Sequence, residues 1–130
     1  MFDCTDLKRK IDETNKRLTE KYDPENKKAC DELQDKTLQD LIKKAVSLFG
    51  GVNRTLKAIE EFSELNVALS HFVNKKLNSD SSFDESIESI HEELADAEIL
   101  LNQLWEYYAT PKIRNQILNI KTAKFKSFVK

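Results

Sequence analysis

Helix breakers are nearly missing from this chain: across its 130 residues stand two prolines, Pro24 and Pro111, and one glycine pair, Gly50-Gly51. A β-rich fold needs a tight turn between most pairs of strands, and such turns draw on glycine and proline for backbone conformations that other residues avoid. So few of either leaves long uninterrupted segments. With 34% charged and 39% apolar residues, those segments have the composition of amphipathic helices. The expectation is an all-α helical bundle. Residues 1–130 are enough for one domain with a real core and short for two.

The same breakers place the boundaries. Asp23-Pro24 has the form of an N-cap followed by a first-turn proline, which predicts that one helix ends near Tyr22 and another begins there. Gly50-Gly51 stops the segment TLQDLIKKAVSLF, in which Leu38, Leu41, Ile42, Ala45 and Leu48 have helical spacing. The run NSDSS at 78–82 reads as a polar loop, and Thr110-Pro111 ends the next long segment. Two long central helices are left, about 52–77 and 83–109, followed by a basic C-terminal helix from about Lys112. No internal repeat or low-complexity tract is visible.

A net charge of −2 gives no electrostatic footprint for nucleic acid or an anionic membrane as the main partner. The charge is unevenly spread, for Lys112, Arg114, Lys121, Lys124, Lys126 and Lys130 share the tail with no acid. Cys4 and Cys30 have neither CxxC nor zinc-knuckle spacing, and reduced, partly buried thiols are expected. The opening MFDCTDLKRK mixes acid and base where a signal peptide is apolar, and no apolar run approaches a bilayer's span. A soluble, cytoplasmic protein is the expectation.

The segments with chemical content are AIEEFSEL at 58–65 and HEELADAEI at 91–99. At 100° per residue, Ala58, Phe62, Leu65, Leu69, Phe72 and Val73 form one apolar arc. Glu61 lies on its edge, Glu64 one turn further on the same side, and Glu60 points away. On the second helix Phe83, Ile87, Ile90, Leu94, Ala97, Leu101, Leu104 and Tyr108 form a stripe, flanked by Glu93 and Asp96 beside Leu100 and Gln103. If the helices pack antiparallel, both acidic pairs are half-buried. Four converging carboxylates without a cation would repel one another and hold their protons more tightly. A divalent cation removes the conflict, and an all-carboxylate set suits magnesium or manganese better than zinc. The plainer alternative is that each pair is a solvated face of a heavily charged helix.

Glu60-Glu61-Phe62-Ser63-Glu64, followed further on by Glu93-Leu94-Ala95-Asp96, resembles the EExxE…ExxD signature of the MazG-like, all-α nucleoside triphosphate pyrophosphohydrolase superfamily. The flanking LKAIEEFSELNVALSHF and ESIHEELADAEILLNQL are similar to the sequences around those motifs in small single-domain members. The likeness spans about 48–128, and 1–47 would be an N-terminal helical extension. The resemblance implies a bundle of MazG-like type that forms a homodimer or homotetramer. It implies a magnesium-dependent site, with manganese as a substitute, that splits a nucleoside triphosphate into monophosphate and pyrophosphate. Glu61, Glu64, Glu93 and Asp96 would be the metal ligands, and Glu60 would orient or deprotonate the attacking water. Lys57, one turn before Glu61, and Lys121 and Lys124 in the tail would meet phosphate. Lys57 reads equally as an i, i+4 partner of Glu61, and the tail as a solvated helix whose Ile113, Ile117, Ile120 and Phe128 pack on the bundle. Leu100 stands where some members place an aromatic that meets the base. Trp105, Tyr107 and Tyr108 offer stacking surface, or packing at the end of the stripe.

Glu88 and His91 form one ExxH unit, where di-iron carboxylate bundles use two with further glutamates, and His91 reads as a surface residue. His71 is a lone histidine without a catalytic companion. A noncatalytic helical interaction protein, using its amphipathic helices for oligomerisation or for a partner helix, accounts equally well for the composition.

Overall fold

A computed structural model describes residues 4–34, 36–76 and 82–129. Within them run α1 (Cys4–Leu33), α2 (Leu38–Phe49), α3 (Gly51–His71), a π-helical turn over Phe72–Lys76, α4 (Phe83–Tyr108) and α5 (Pro111–Phe128). Among the described residues there is no strand. The loop expected at 78–82 lies outside them except for Ser82.

Local chemistry fixes the ends of the helices. Thr37 caps α2, its hydroxyl accepting from the Asp40 amide at 3.1 Å. Gly50 closes α2 and opens α3 at φ +82, a conformation in which a side chain would be strained although the space around it is open. Thr110 caps α5 through the Ile113 amide at 3.2 Å, with Pro111 in the first turn.

The boundary expected at Asp23-Pro24 is not there: α1 runs unbroken from Cys4 to Leu33 with Pro24 inside it. Proline removes one amide donor from the ladder, but from Asp23 onward the helix is exposed, so no packed neighbour depends on its straightness. Helix-forming Lys, Glu, Ala and Leu on both sides carry the helix across.

α3 and α4 make the most extensive contact in the fold and run antiparallel. At one end the rings of Phe72 and Phe83 lie 5.7 Å apart, and at the other the hydroxyls of Thr55 and Tyr108 share a 2.8 Å hydrogen bond. Gly51 sits beneath the Tyr107 ring so closely that a Cβ there would fall inside it. α2 packs chiefly on α4 and buries Ile42.

α1 docks on the first half of α4. Leu18, Phe72 and Ile87 form a core cluster walled by Leu7, Ile11, Tyr22, Phe83 and Ile90. Polar clasps run along its edge. The fully buried Thr14 hydroxyl donates to Asp84 at 2.8 Å, and Arg17 grips the same carboxylate from Nε and Nη2 at 2.8 and 2.6 Å. Lys21 reaches Glu88 at 2.7 Å, and the Tyr22 hydroxyl lies 3.1 Å from His91 Nδ1.

Two faces differ from expectation. On α4, Ile87 and Ala97 are buried, but Leu94, Leu101 and Tyr108 are exposed while the flanking Leu100 and Gln103 are buried. Three helices press on α4 at once, so its buried face is set by those neighbours and not by its own apolar maximum. α5 buries nothing, and Ile113, Ile117, Ile120 and Phe128 are all exposed instead of packed on the bundle. Cys4 and Cys30 are free thiols, and exposed where partial burial was expected. No helix among the described residues is long and apolar enough to cross a membrane.

Candidate metal centre

The two acidic motifs meet midway along the α3–α4 pair. One carboxylate oxygen each of Glu60, Glu61 and Glu64 lie within 4.8 Å of one another, and so do those of Glu61, Glu93 and Asp96. Glu61 belongs to both groups and is 9% exposed, the most enclosed acid of the set. The i, i+3 spacing on each helix puts its pair on one face, and antiparallel packing brings the faces together. Glu60, expected to point away, joins the group from the exposed rim. It is drawn in by Lys57, whose ammonium lies 3.5 Å from Glu60 Oε2 and 3.1 Å from Glu61 Oε1.

One cation among five acids leaves the cluster under-compensated. Glu61 Oε2 and Glu93 Oε2 are sealed from solvent and meet no hydrogen-bond donor among the described residues. Such oxygens cost free energy unless something positive meets them. Two of the carboxyls, Glu64 and Glu93, respond by holding their protons more tightly. The negative charge of Glu61, and then partial burial, raise Glu64 above the usual carboxylate range. Burial first, and then the charges of Asp96 and Glu61, raise Glu93. The hydrogen bond to Glu61 and the charge of Glu60 raise Lys57 in turn. A hard divalent cation fits this set: every donor is a carboxylate oxygen, and two buried oxygens have no other partner.

Beside the centre a groove of about 420 Å³ runs between α3 and α4, with Ser63, Glu64, His71, Ser89 and Glu93 in its walls. The sequence held a signal for His71, which stands two turns after Glu64 on the same helical face, but none for Ser89. Glu88 and His91, the ExxH unit, are occupied by Lys21 and Tyr22 of α1, and His91 is half-buried where a surface position was expected. Tyr107 and Tyr108 close the far end of the helix pair over Gly51 and Thr55.

Of the residues singled out in the sequence, Glu60, Glu61, Glu64, Glu93, Asp96 and Lys57 are brought together. Lys121 and Lys124 are not. They are exposed on α5, which begins only after α4 has continued for three further turns beyond Asp96. The chain matches no protein-family model, no curated protein and no solved structure.

Proposed function

We propose that this chain is a magnesium-dependent hydrolase of MazG-like type, cleaving nucleoside triphosphates to monophosphate and pyrophosphate. The observation that carries the reading is the pair of buried, unpartnered oxygens, Glu61 Oε2 and Glu93 Oε2, within a five-carboxylate cluster. Glu61, Glu64, Glu93 and Asp96 would hold the cation. Bound there, magnesium or manganese would neutralise triphosphate charge and polarise the phosphorus under attack. The chain's own groups do the rest. Glu60, exposed at the rim, orients the incoming water and takes up its proton. Lys57, between Glu60 and Glu61, meets a phosphate oxygen. The groove lined by Ser63, His71 and Ser89 receives the nucleoside end.

Lys121 and Lys124 belong to this reading only through a second copy whose α5 lies over the centre. Exposed apolar surface favours such an assembly, a homodimer or homotetramer, because Val52, Leu56, Ile59 and Val67 are 59 to 69% exposed along one side of α3. That stripe also favours the second reading, a noncatalytic interaction protein.

Pyrophosphate release from canonical and modified ribo- and deoxyribonucleoside triphosphates, with magnesium and with chelator, separates the two. The hydrolase releases pyrophosphate only with the cation, and Glu64→Ala lowers the rate by 100-fold or more. Magnesium also raises its melting temperature, and Glu61→Ala abolishes that rise. An adaptor shows no release from any nucleotide and a melting temperature indifferent to magnesium.

A further inference from the structure

A second concavity lies on another side of α4. It occupies about 470 Å³ between α2, the last turns of α4 and the start of α5, and its walls include Lys43, Asn102, Trp105, Glu106, Arg114 and Asn115. Asn102 follows Asp96 by six residues, about 9 Å along the axis and some 240° around it, so the helix itself stands between this cleft and the carboxylates. The volume is within the range of small-molecule sites, about 300–1,000 Å³.

Its chemistry is specific in three respects. Arg114 is held in place without a counter-ion: its guanidinium lies 5.4 Å from the centre of the Trp105 ring, and Nη2 donates to Asn102 Oδ1 at 3.2 Å. Both partners are neutral. Neither Arg114 nor Lys43 forms an ion pair among the described residues, in a chain where Arg9, Arg17, Lys8, Lys21 and Lys57 all do. A half-buried guanidinium fixed by neutral contacts keeps its remaining donors for an incoming anion, and its fork suits a phosphate. Trp105 supplies an aromatic surface, part of which the Arg114 guanidinium already covers. Asn102, whose amide oxygen accepts from Arg114, keeps its amide NH2 as a donor, and Asn115 adds a further donor and acceptor to the wall, the groups that the edge of a heterocycle requires. The one acid in the wall, Glu106, is engaged by Gln39 Nε2 at 3.3 Å.

We propose that the cleft between α2, α4 and α5 binds a mononucleotide, its base against Trp105 and its phosphate met by Arg114 and Lys43. The assignment does not rest on the hydrolase reading, since it uses none of the carboxylates and needs no cation.

Trp105 is the only tryptophan in the chain, so its fluorescence reports this cleft alone. The experiment titrates the full chain, in chelator, with the four common nucleoside monophosphates, the matching nucleosides and inorganic phosphate. At least one monophosphate should give a saturable change, with Kd weakened tenfold or more in R114A and several-fold in K43A. Because Arg114 touches the ring, the readout is Kd and not intensity. Lys43 stands on α2 and it is Arg114, not Lys43, that lies over the Trp105 ring, so K43A serves as the independent variant, with helicity checked by circular dichroism. Three results overturn the proposal: no saturable change with any monophosphate to low millimolar concentration, inorganic phosphate binding as tightly as the nucleotide, or nucleosides binding as tightly as their monophosphates. Since chelator is present throughout, a failed hydrolysis assay leaves this result standing, and the converse holds.

Discussion

Glu61 carries two opposing demands: it is nearly closed off from water, and while one of its oxygens meets Lys57, the other meets no hydrogen-bond donor among the described residues. Its neighbours register the tension, and their titration has a definite sign. Glu64 and Glu93 hold protons more tightly folded than unfolded, so they stabilise the metal-free protein fully below the ordinary glutamate range. That contribution is lost as pH rises through their raised values. In chelator, therefore, this contribution should make the melting temperature fall as pH rises above the ordinary glutamate range. Glu93→Gln should flatten the fall and magnesium should reverse it; a melting temperature that climbs steadily above that range in chelator would contradict the strain. Asp84 has the opposite sign. The Arg17 hydrogen bonds, with help from Thr14, depress it, and its contribution is lost only as pH drops through that lowered value. The acidic pairs were legible in the sequence because i, i+3 spacing is a one-helix property. The approach of Glu60 and the docking of His91 on Tyr22 were not, since both depend on how far a long side chain reaches toward a partner that spacing does not reveal.

Among the elements, α1 shows best where local rules give out. Its attachment is short and specific: a hydrophobic key, Leu18, and a buried hydroxyl, Thr14, matched to Asp84. Leu18→Ala should cost about 2–5 kcal/mol by urea unfolding. Asp84→Ala, which leaves Thr14 and Arg17 without their acceptor, should cost about 1–3 kcal/mol. Gly51→Ala would expel the Tyr107 ring from the α3–α4 end and cost about 1–3 kcal/mol. The starts of α2, α3 and α5 follow from Thr37, the Gly50-Gly51 pair and Thr110-Pro111, whose effects are confined to a single turn. Pro24 misled because the penalty of an interior proline depends on whether the lost bond and the bend matter to packing, which is a property of neighbours. The face of α4 turned toward Leu100 and Gln103 for the same reason: it answers to three partners, and periodicity describes one helix.

Taken whole, the molecule spends little of its apolar surface on its own interior. The all-α class follows from composition, but the small size of the core does not, since apolar residues at helical spacing look alike whether a neighbour covers them or not. Val52, Leu56, Ile59 and Val67 are left in water, as are Leu94 and Leu101. Light scattering should find an assembly larger than one chain at micromolar concentration, and Leu56→Glu should shift it toward monomer without loss of helicity; a wild-type monomer at all concentrations would count against the assembly. The outer part of α1 has a different fate. From Asp23 to Gln34 every residue is exposed, so this stretch is a helix about 16 Å long with no body behind it, too short for its own hydrogen bonds to hold for long. Its amide hydrogens should exchange with solvent long before those of α3. Trypsin should cut after Lys27 or Lys28 while the bundle is still folded, and the severed first half should stay in place, held by Leu18 and Asp84 as a two-piece protein.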